Sequence, residues 1–200
     1  MEKLIFLSVD GLKIEAEKFG NSDHAVILAH GKAFNMQSWE DFAIYLQKSG
    51  FTAIPFNFRG YGNSESKDTK YELDIAGIIK TLLKDYKHVS LIGASMGGAA
   101  ALRSLEISEP IDGLVLLSPA GLPDDFAKLK GKVRKSLVVF SKGDFVFEVA
   151  EKIAESLPFD TEKVVFDGNL HAQNLFRDPK IKAELESKIV KFLKSAAEKK

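Results

Sequence analysis

The chain of 200 residues contains no cysteine. Disulfide bonds, cysteine metal ligands and a cysteine nucleophile are therefore excluded. An excess of charge of either sign is also missing, because 28 lysines and arginines balance 28 aspartates and glutamates. This balance gives no electrostatic reason to expect nucleic acid or an anionic membrane as a partner.

Long hydrophobic runs are absent as well. No apolar stretch approaches the roughly 20 residues that a bilayer-spanning helix needs, and the apolar run near the N-terminus is too short for a signal peptide. We therefore expect a cytoplasmic protein that has no membrane partner. The chain does have 45% hydrophobic residues, which is typical of a soluble globular protein, and its length predicts a single domain covering residues 1–200.

Short apolar runs alternate with helical patterns along most of the chain. Most of the runs are continuously apolar, which is typical of parallel strands that are buried on both faces. The predicted strands cover residues 25–29, 52–56, 89–93, 114–117, 137–140 and 163–166. Asp10-Gly11 lies between two further β-prone segments and predicts an antiparallel hairpin at the start of the sheet. The pattern as a whole predicts an α/β fold with helices on both faces of a mostly parallel sheet.

One pentapeptide points to chemistry. Gly93-Ala94-Ser95-Met96-Gly97 ends a predicted strand and precedes a helical pattern, so it reads as a G-x-S-x-G turn. Such a turn exposes its serine beside a helix N-terminus and forces strained backbone geometry, which is why the neighbouring residues are small. We predict that Ser95 is a nucleophile. The alternative is an ordinary glycine–serine turn.

A serine hydroxyl needs a base within hydrogen-bond reach before it can act as a nucleophile at neutral pH. Active sites of open α/β sheets lie at the carboxyl ends of the strands. Of the four histidines, His24 and His88 precede predicted strands and lie at the wrong edge, whereas His30 follows an early strand and His171 follows the last one. The sequence therefore favours His171 as the base.

The base in turn needs an acid to orient it. Asp144 follows the strand 137–140, and the next strand in the chain leads to His171. Its alternative role is that of a turn or helix-capping aspartate, which is common for this residue type.

A developing oxyanion also needs hydrogen-bond donors. The backbone N–H of Met96 is one candidate, and the second is the N–H of Lys32 or of Ala33, in the loop after strand 25–29.

Taken together, these segments resemble the α/β-hydrolase superfamily over residues 4–194, nearly the whole chain. The matching features are His30-Gly31 followed by Trp39, the segment Phe58-Arg59-Gly60-Tyr61-Gly62-Asn63-Ser64, the Ser95 turn, and the chain order Ser95, Asp144, His171. The resemblance implies a three-layer α/β-hydrolase fold with Ser95 as nucleophile, Asp144 as acid and His171 as base. It also implies that Lys32 and Met96 supply the oxyanion-hole N–H groups. One departure is Ser141, which replaces a usual glycine ahead of Asp144.

The substrate pocket is expected to be open. Residues 119–135 connect two predicted strands and leave room for one short helix at 124–129, but not for the lid domain of larger relatives. Several apolar side chains fall in loops near this edge of the sheet. They are Phe34, Met36, Trp39, Leu122, Phe126, Phe145, Phe147 and Leu170.

The sequence thus predicts a serine hydrolase that cleaves a small-molecule carboxylic ester or thioester through an acyl-enzyme on Ser95, with no metal and no organic cofactor. One alternative is a cofactor-free perhydrolase of the haloperoxidase type that uses the same triad. Another is a non-catalytic binding protein that keeps the fold. The acyl group, the leaving group and the oligomeric state stay open.

Overall fold

A computed structural model of the chain describes residues 1–198. It contains an eight-stranded sheet with the order β1-β2-β4-β3-β5-β6-β7-β8. The strands are β1 (Glu2–Leu7), β2 (Lys13–Lys18), β3 (His24–Ala29), β4 (Thr52–Phe56), β5 (His88–Ala94), β6 (Ile111–Leu117), β7 (Val133–Ser141) and β8 (Asp160–Phe166). Every predicted strand is present, and most extend a few residues beyond the apolar run.

The sheet is parallel from β4 to β8, and β1 and β2 pair in antiparallel fashion at one edge. The predicted N-terminal hairpin is therefore confirmed. Gly11 has a φ of +86° in its turn, a conformation that glycine adopts without steric cost. The central strand β3 is buried along its whole length, as expected for a strand covered by helices on both faces.

Five α-helices cover the two faces of the sheet. They are α1 (Glu40–Lys48), α2 (Tyr71–Asp85), α3 (Met96–Ile107), α4 (Phe147–Ser156) and α5 (Pro179–Ala197), with short 3₁₀ turns at Met36–Trp39, Phe126–Leu129 and Ala172–Arg177. Side chains of α2, α3 and α4 pack into one hydrophobic cluster, whereas those of α1 and α5 pack into a second cluster. Two separate cores on either side of one sheet make a three-layer α/β fold, as predicted.

The connection between β6 and β7 holds only the 3₁₀ turn Phe126–Leu129. Asp125 begins this turn, and its side chain accepts a hydrogen bond from the Ala127 N–H. The carboxyl edge of the sheet therefore carries no lid domain between these strands. Among the helices of residues 1–198, none has both the length and the apolar character required to cross a membrane.

Candidate active site

The turn between β5 and α3 holds Ser95 in a strained backbone conformation, with φ 51° and ψ −112°. A side chain at Gly97 would place its Cβ 2.4 Å from the carbonyl oxygen of Ala29, and one at Gly93 would lie 2.6 Å from that of Gly97. Both glycines of the motif are therefore required by close backbone contacts. The Ser95 N–H is held by the carbonyl of Leu117 at 2.9 Å, so that β6 supports the strained turn.

Ser95, His171 and Asp144 form a chain of hydrogen bonds at the carboxyl edge of the sheet. Ser95 Oγ is 2.8 Å from His171 Nε2, and His171 Nδ1 is 2.9 Å from Asp144 Oδ1. Asp144 is buried, and its contact with Nδ1 favours the tautomer in which Nδ1 donates and Nε2 accepts, because an ionised carboxylate only accepts hydrogen bonds. Asp144 Oδ1 also accepts a bond from the Val146 N–H, so its turn role and its contact with the histidine coexist.

The loop that carries His171 is fastened to the ends of β6 and β7. Ser141 Oγ donates to the carbonyl of Leu170 at 2.8 Å, and the Ala172 N–H donates to Ser118 Oγ at 3.0 Å. Ala172 itself has a φ of +48°, which these contacts help to maintain. Ser141, which departs from the usual glycine, thus has a structural role next to His171.

The oxyanion donors proposed from the sequence are free to bind a ligand. Within residues 1–198, the N–H groups of Met96, Lys32 and Ala33 donate to no other backbone or side-chain acceptor. A Cβ at Gly31 would lie 3.5 Å from the Ser95 Cβ, which places the start of this loop directly beside Ser95. Since Lys32 and Ala33 are both unengaged, the choice between them as the second donor stays open.

His30 holds the loop that contains Gly31 and Lys32 through hydrogen bonds of its ring. Its Nδ1 donates to the carbonyl of Gly31 at 2.9 Å, and its Nε2 accepts from the N–H of Phe58 at 3.3 Å. Burial lowers the pKa of His30 to about 4, so the imidazole is neutral at pH 7. A fully buried neutral ring with both nitrogens engaged is a structural group and has no free nitrogen for a reacting serine.

Gln173 is a polar residue of this site that the sequence did not indicate. Its Oε1 accepts from the Gly31 N–H at 2.8 Å, and its Nε2 donates to Ser38 Oγ at 2.6 Å. The side chain is buried and lies two positions after His171. One short segment therefore carries His171 and also the side chain that holds the loop at Gly31. A glutamine in a loop has no local signature, so only its position next to His171 could have drawn attention to it.

A cavity of about 630 Å³ opens over Ser95 and His171. Phe34 and Phe145, two of the expected pocket residues, line it together with Met96. The sequence missed two other walls, which come from the N-terminal end of α2 and from one face of α3. They are formed by Thr69, Tyr71 and Glu72, and by Ala99, Ala100 and Arg103.

Six of the predicted pocket residues lie outside this cavity, which corrects that expectation. Met36 and Trp39 are each 1% exposed and belong to the interior. Leu122, Phe126 and Phe147 pack against the core of α2, α3 and α4, and Leu170 packs against the opposite core. Apolar loop residues near the sheet edge are drawn inward because burial of their surface stabilises the fold.

Arg59, from the segment that resembles the hydrolase superfamily, shapes the site from a distance. Its buried guanidinium binds Asp74 at 2.7 Å, Asp10 at 2.8 Å and Asp68 at 2.6 Å. The bond from Arg59 lowers the pKa of Asp10 to about 2, while burial raises the pKa of Asp74. These contacts tie the N-terminal hairpin to the start of α2, and so they fix the cavity wall at Tyr71.

The fold and its carboxyl-edge cleft define the class of protein: it is an α/β hydrolase. Residues 20–196 match the family model described as "Serine aminopeptidase, S33". The chain therefore belongs to this family of the α/β-hydrolase superfamily.

Within residues 1–198, no cluster of three histidine, aspartate or glutamate side chains is placed to hold a metal ion.

Individual relatives carry several descriptions. The chain is 29% identical over 184 residues to the AB hydrolase superfamily protein YisY of Bacillus subtilis, covering 80% of this chain and 68% of that protein. It is 32% identical over 99 residues to a putative non-heme chloroperoxidase of Synechocystis, covering 47% of this chain and 36% of that protein. The structure of the Pyrococcus furiosus esterase Pf2001 superposes with a TM-score of 0.79 at 22% identity, covering 97% of this chain and 89% of that one. At this identity the likeness shows the fold alone.

Proposed function

We propose that the protein is a serine hydrolase that cleaves a carboxylic ester or a thioester through an acyl-enzyme on Ser95. The observation that carries the proposal is the 2.8 Å contact between Ser95 Oγ and His171 Nε2, with Asp144 on the opposite ring nitrogen. A nucleophile, a base and an orienting acid in this order are what acyl transfer requires. The cleft above them admits a small molecule.

In the first half of the reaction, Ser95 Oγ attacks the carbonyl carbon while His171 Nε2 takes the hydroxyl proton. The negative charge that develops on the carbonyl oxygen is stabilised by the N–H groups of Met96 and Lys32. Asp144 stabilises the imidazolium, which then gives its proton to the departing oxygen or sulfur. In the second half, His171 deprotonates a water molecule that attacks the acyl carbon, and Ser95 Oγ leaves with the proton.

A cofactor-free perhydrolase is the second candidate, favoured by the likeness to the putative non-heme chloroperoxidase of Synechocystis. In that reaction hydrogen peroxide replaces water in the second half, so that the acyl-enzyme yields a peracid. The same three side chains suffice. Addition of hydrogen peroxide to an assay with a simple acetate ester separates the two activities, because only a perhydrolase forms peracid faster than the uncatalysed control.

Labelling with a fluorophosphonate probe tests the proposal. The wild-type protein should become covalently labelled, and Ser95→Ala should not, because the probe reacts with an activated serine. Ser156→Ala, at an exposed serine at the end of α4, is the matched control and should label like wild type. A wild-type protein that does not label, as expected for a pure binding protein, would refute the proposal, and so would Ser95→Ala labelling equally well.

Substrate length supplies a second test. The absence of a lid domain between β6 and β7 leaves the cleft open. We therefore expect a higher kcat/KM for p-nitrophenyl esters and acyl thioesters of short acids than for those of long-chain acids. Turnover of long-chain acyl groups alone would contradict an open site.

A further inference from the structure

Phe145 lies at the mouth of the cavity, in the loop between β7 and α4. Its ring centroid is 4.4 Å from that of His171, with an angle of 36° between the ring planes. The side chain is 82% exposed, although it is a large apolar group. By contrast, the nearby Phe147 packs against Phe140 in the core. One face of the Phe145 ring thus contacts the base, while most of its remaining surface is free.

The chemistry of acyl transfer fixes which part of a substrate this ring would meet. When the tetrahedral intermediate breaks down, the proton on His171 Nε2 passes to the leaving oxygen or sulfur. The leaving group must therefore lie within hydrogen-bond distance of the imidazole. A ring in contact with the same imidazole is next to the leaving group, whatever the acid portion of the substrate is.

The rest of the cavity provides a separate place for the acyl group. Its wall follows α3 from Met96 to Arg103, about 10 Å along the helix axis, and is lined by the small side chains of Ala99 and Ala100. Tyr71 and Glu72 face it from α2. These residues belong to different elements from the loop that carries Phe145.

We propose that Phe145 is a specificity-determining residue that forms the leaving-group wall and selects esters of aromatic alcohols. This inference rests on the proposed hydrolase function. An aromatic leaving group would stack on the free surface of the Phe145 ring, and it would remain there as His171 protonates the departing oxygen. Aromatic contacts of this kind contribute beyond the apolar area that they bury.

Benzyl acetate and ethyl acetate make a suitable pair of substrates, because both release an alcohol from the same acyl group and differ in their apolar surface. Wild-type enzyme should prefer benzyl acetate. Phe145→Ala should lower kcat/KM for benzyl acetate about tenfold more than it lowers kcat/KM for ethyl acetate. Phe145→Tyr, which keeps the ring, should retain the preference. Ile107→Ala removes another exposed apolar side chain, outside this cavity, and should behave like wild type.

Two outcomes would overturn the inference. Wild-type kcat/KM for both esters in Phe145→Ala would show that the ring does not contact the leaving group. An equal fall with both substrates would show that the ring only positions His171. Failure of the hydrolase proposal is distinguishable from both, because the wild-type protein would then neither label with the fluorophosphonate nor hydrolyse either ester.

Discussion

Replacement of Gln173 by leucine should impair catalysis without removing any group that touches the substrate. The change deletes the acceptor of the Gly31 N–H and the donor to Ser38 Oγ, both in a buried position. A buried N–H left without a partner costs about 1–3 kcal/mol. The loop can recover this energy by rotating the Gly31 peptide toward water, and this rotation would move the neighbouring Lys32 N–H away from the oxyanion.

The size of the effect follows from the oxyanion-hole role that we propose for that donor. Loss of one oxyanion-hole donor reduces kcat by about 10² to 10³-fold. Since the loop would only be displaced and not removed, we expect Gln173→Leu to lower kcat about 10- to 100-fold. KM should change little, because the donor contacts the charged intermediate more strongly than the uncharged carbonyl of the bound substrate.

The assay is steady-state hydrolysis of p-nitrophenyl acetate, with urea unfolding of each variant measured alongside. Gln37→Leu makes the same substitution at an exposed glutamine of the neighbouring 3₁₀ turn and should have wild-type kinetics. Ser38→Ala removes only the contact between Gln173 and Ser38, so its kcat should lie between that of wild type and that of Gln173→Leu. If Gln173→Leu folds normally and keeps the kcat of wild type, the bond to Gly31 does not position the oxyanion loop, and the reasoning is wrong.

Two further predictions concern the stability of the fold. Gly97→Ala should lose fluorophosphonate labelling and unfold at lower urea, because the added Cβ would lie 2.4 Å from the Ala29 carbonyl oxygen; wild-type labelling of this variant would contradict the packing argument. Burial lowers the pKa values of His24 and His30 to about 4. Between a pH of about 6.5 and a pH of about 4, the unfolded chain therefore binds protons that the folded chain does not bind. The free energy of unfolding should fall over this range, as the pH falls, by up to about 3 kcal/mol per histidine. Urea midpoints across this range measure the slope, which His24→Gln should flatten because glutamine does not titrate; an equal slope in both proteins would count against burial as the cause.

Features that depend on local pattern could be predicted from the amino-acid sequence. Continuous apolar runs predicted the parallel strands, and Asp10-Gly11 predicted the hairpin. The strand before Ser95 and the helix after it placed this residue at the carboxyl edge. The same reasoning placed Asp144 and His171 after later strands, and parallel strands bring such loops to one edge of the sheet. Topology alone was therefore enough to propose the three residues together.

Which side chains face the cavity depends on packing between distant segments of the chain. Met36 and Trp39 are near the site in sequence, yet they point into the core, whereas Tyr71 and Arg103 reach the cavity from α2 and α3. The contact of Gln173 with Gly31 spans 142 positions of the chain. The direction of a side chain in a loop depends on the surfaces that distant segments offer it, and no local periodicity records those surfaces.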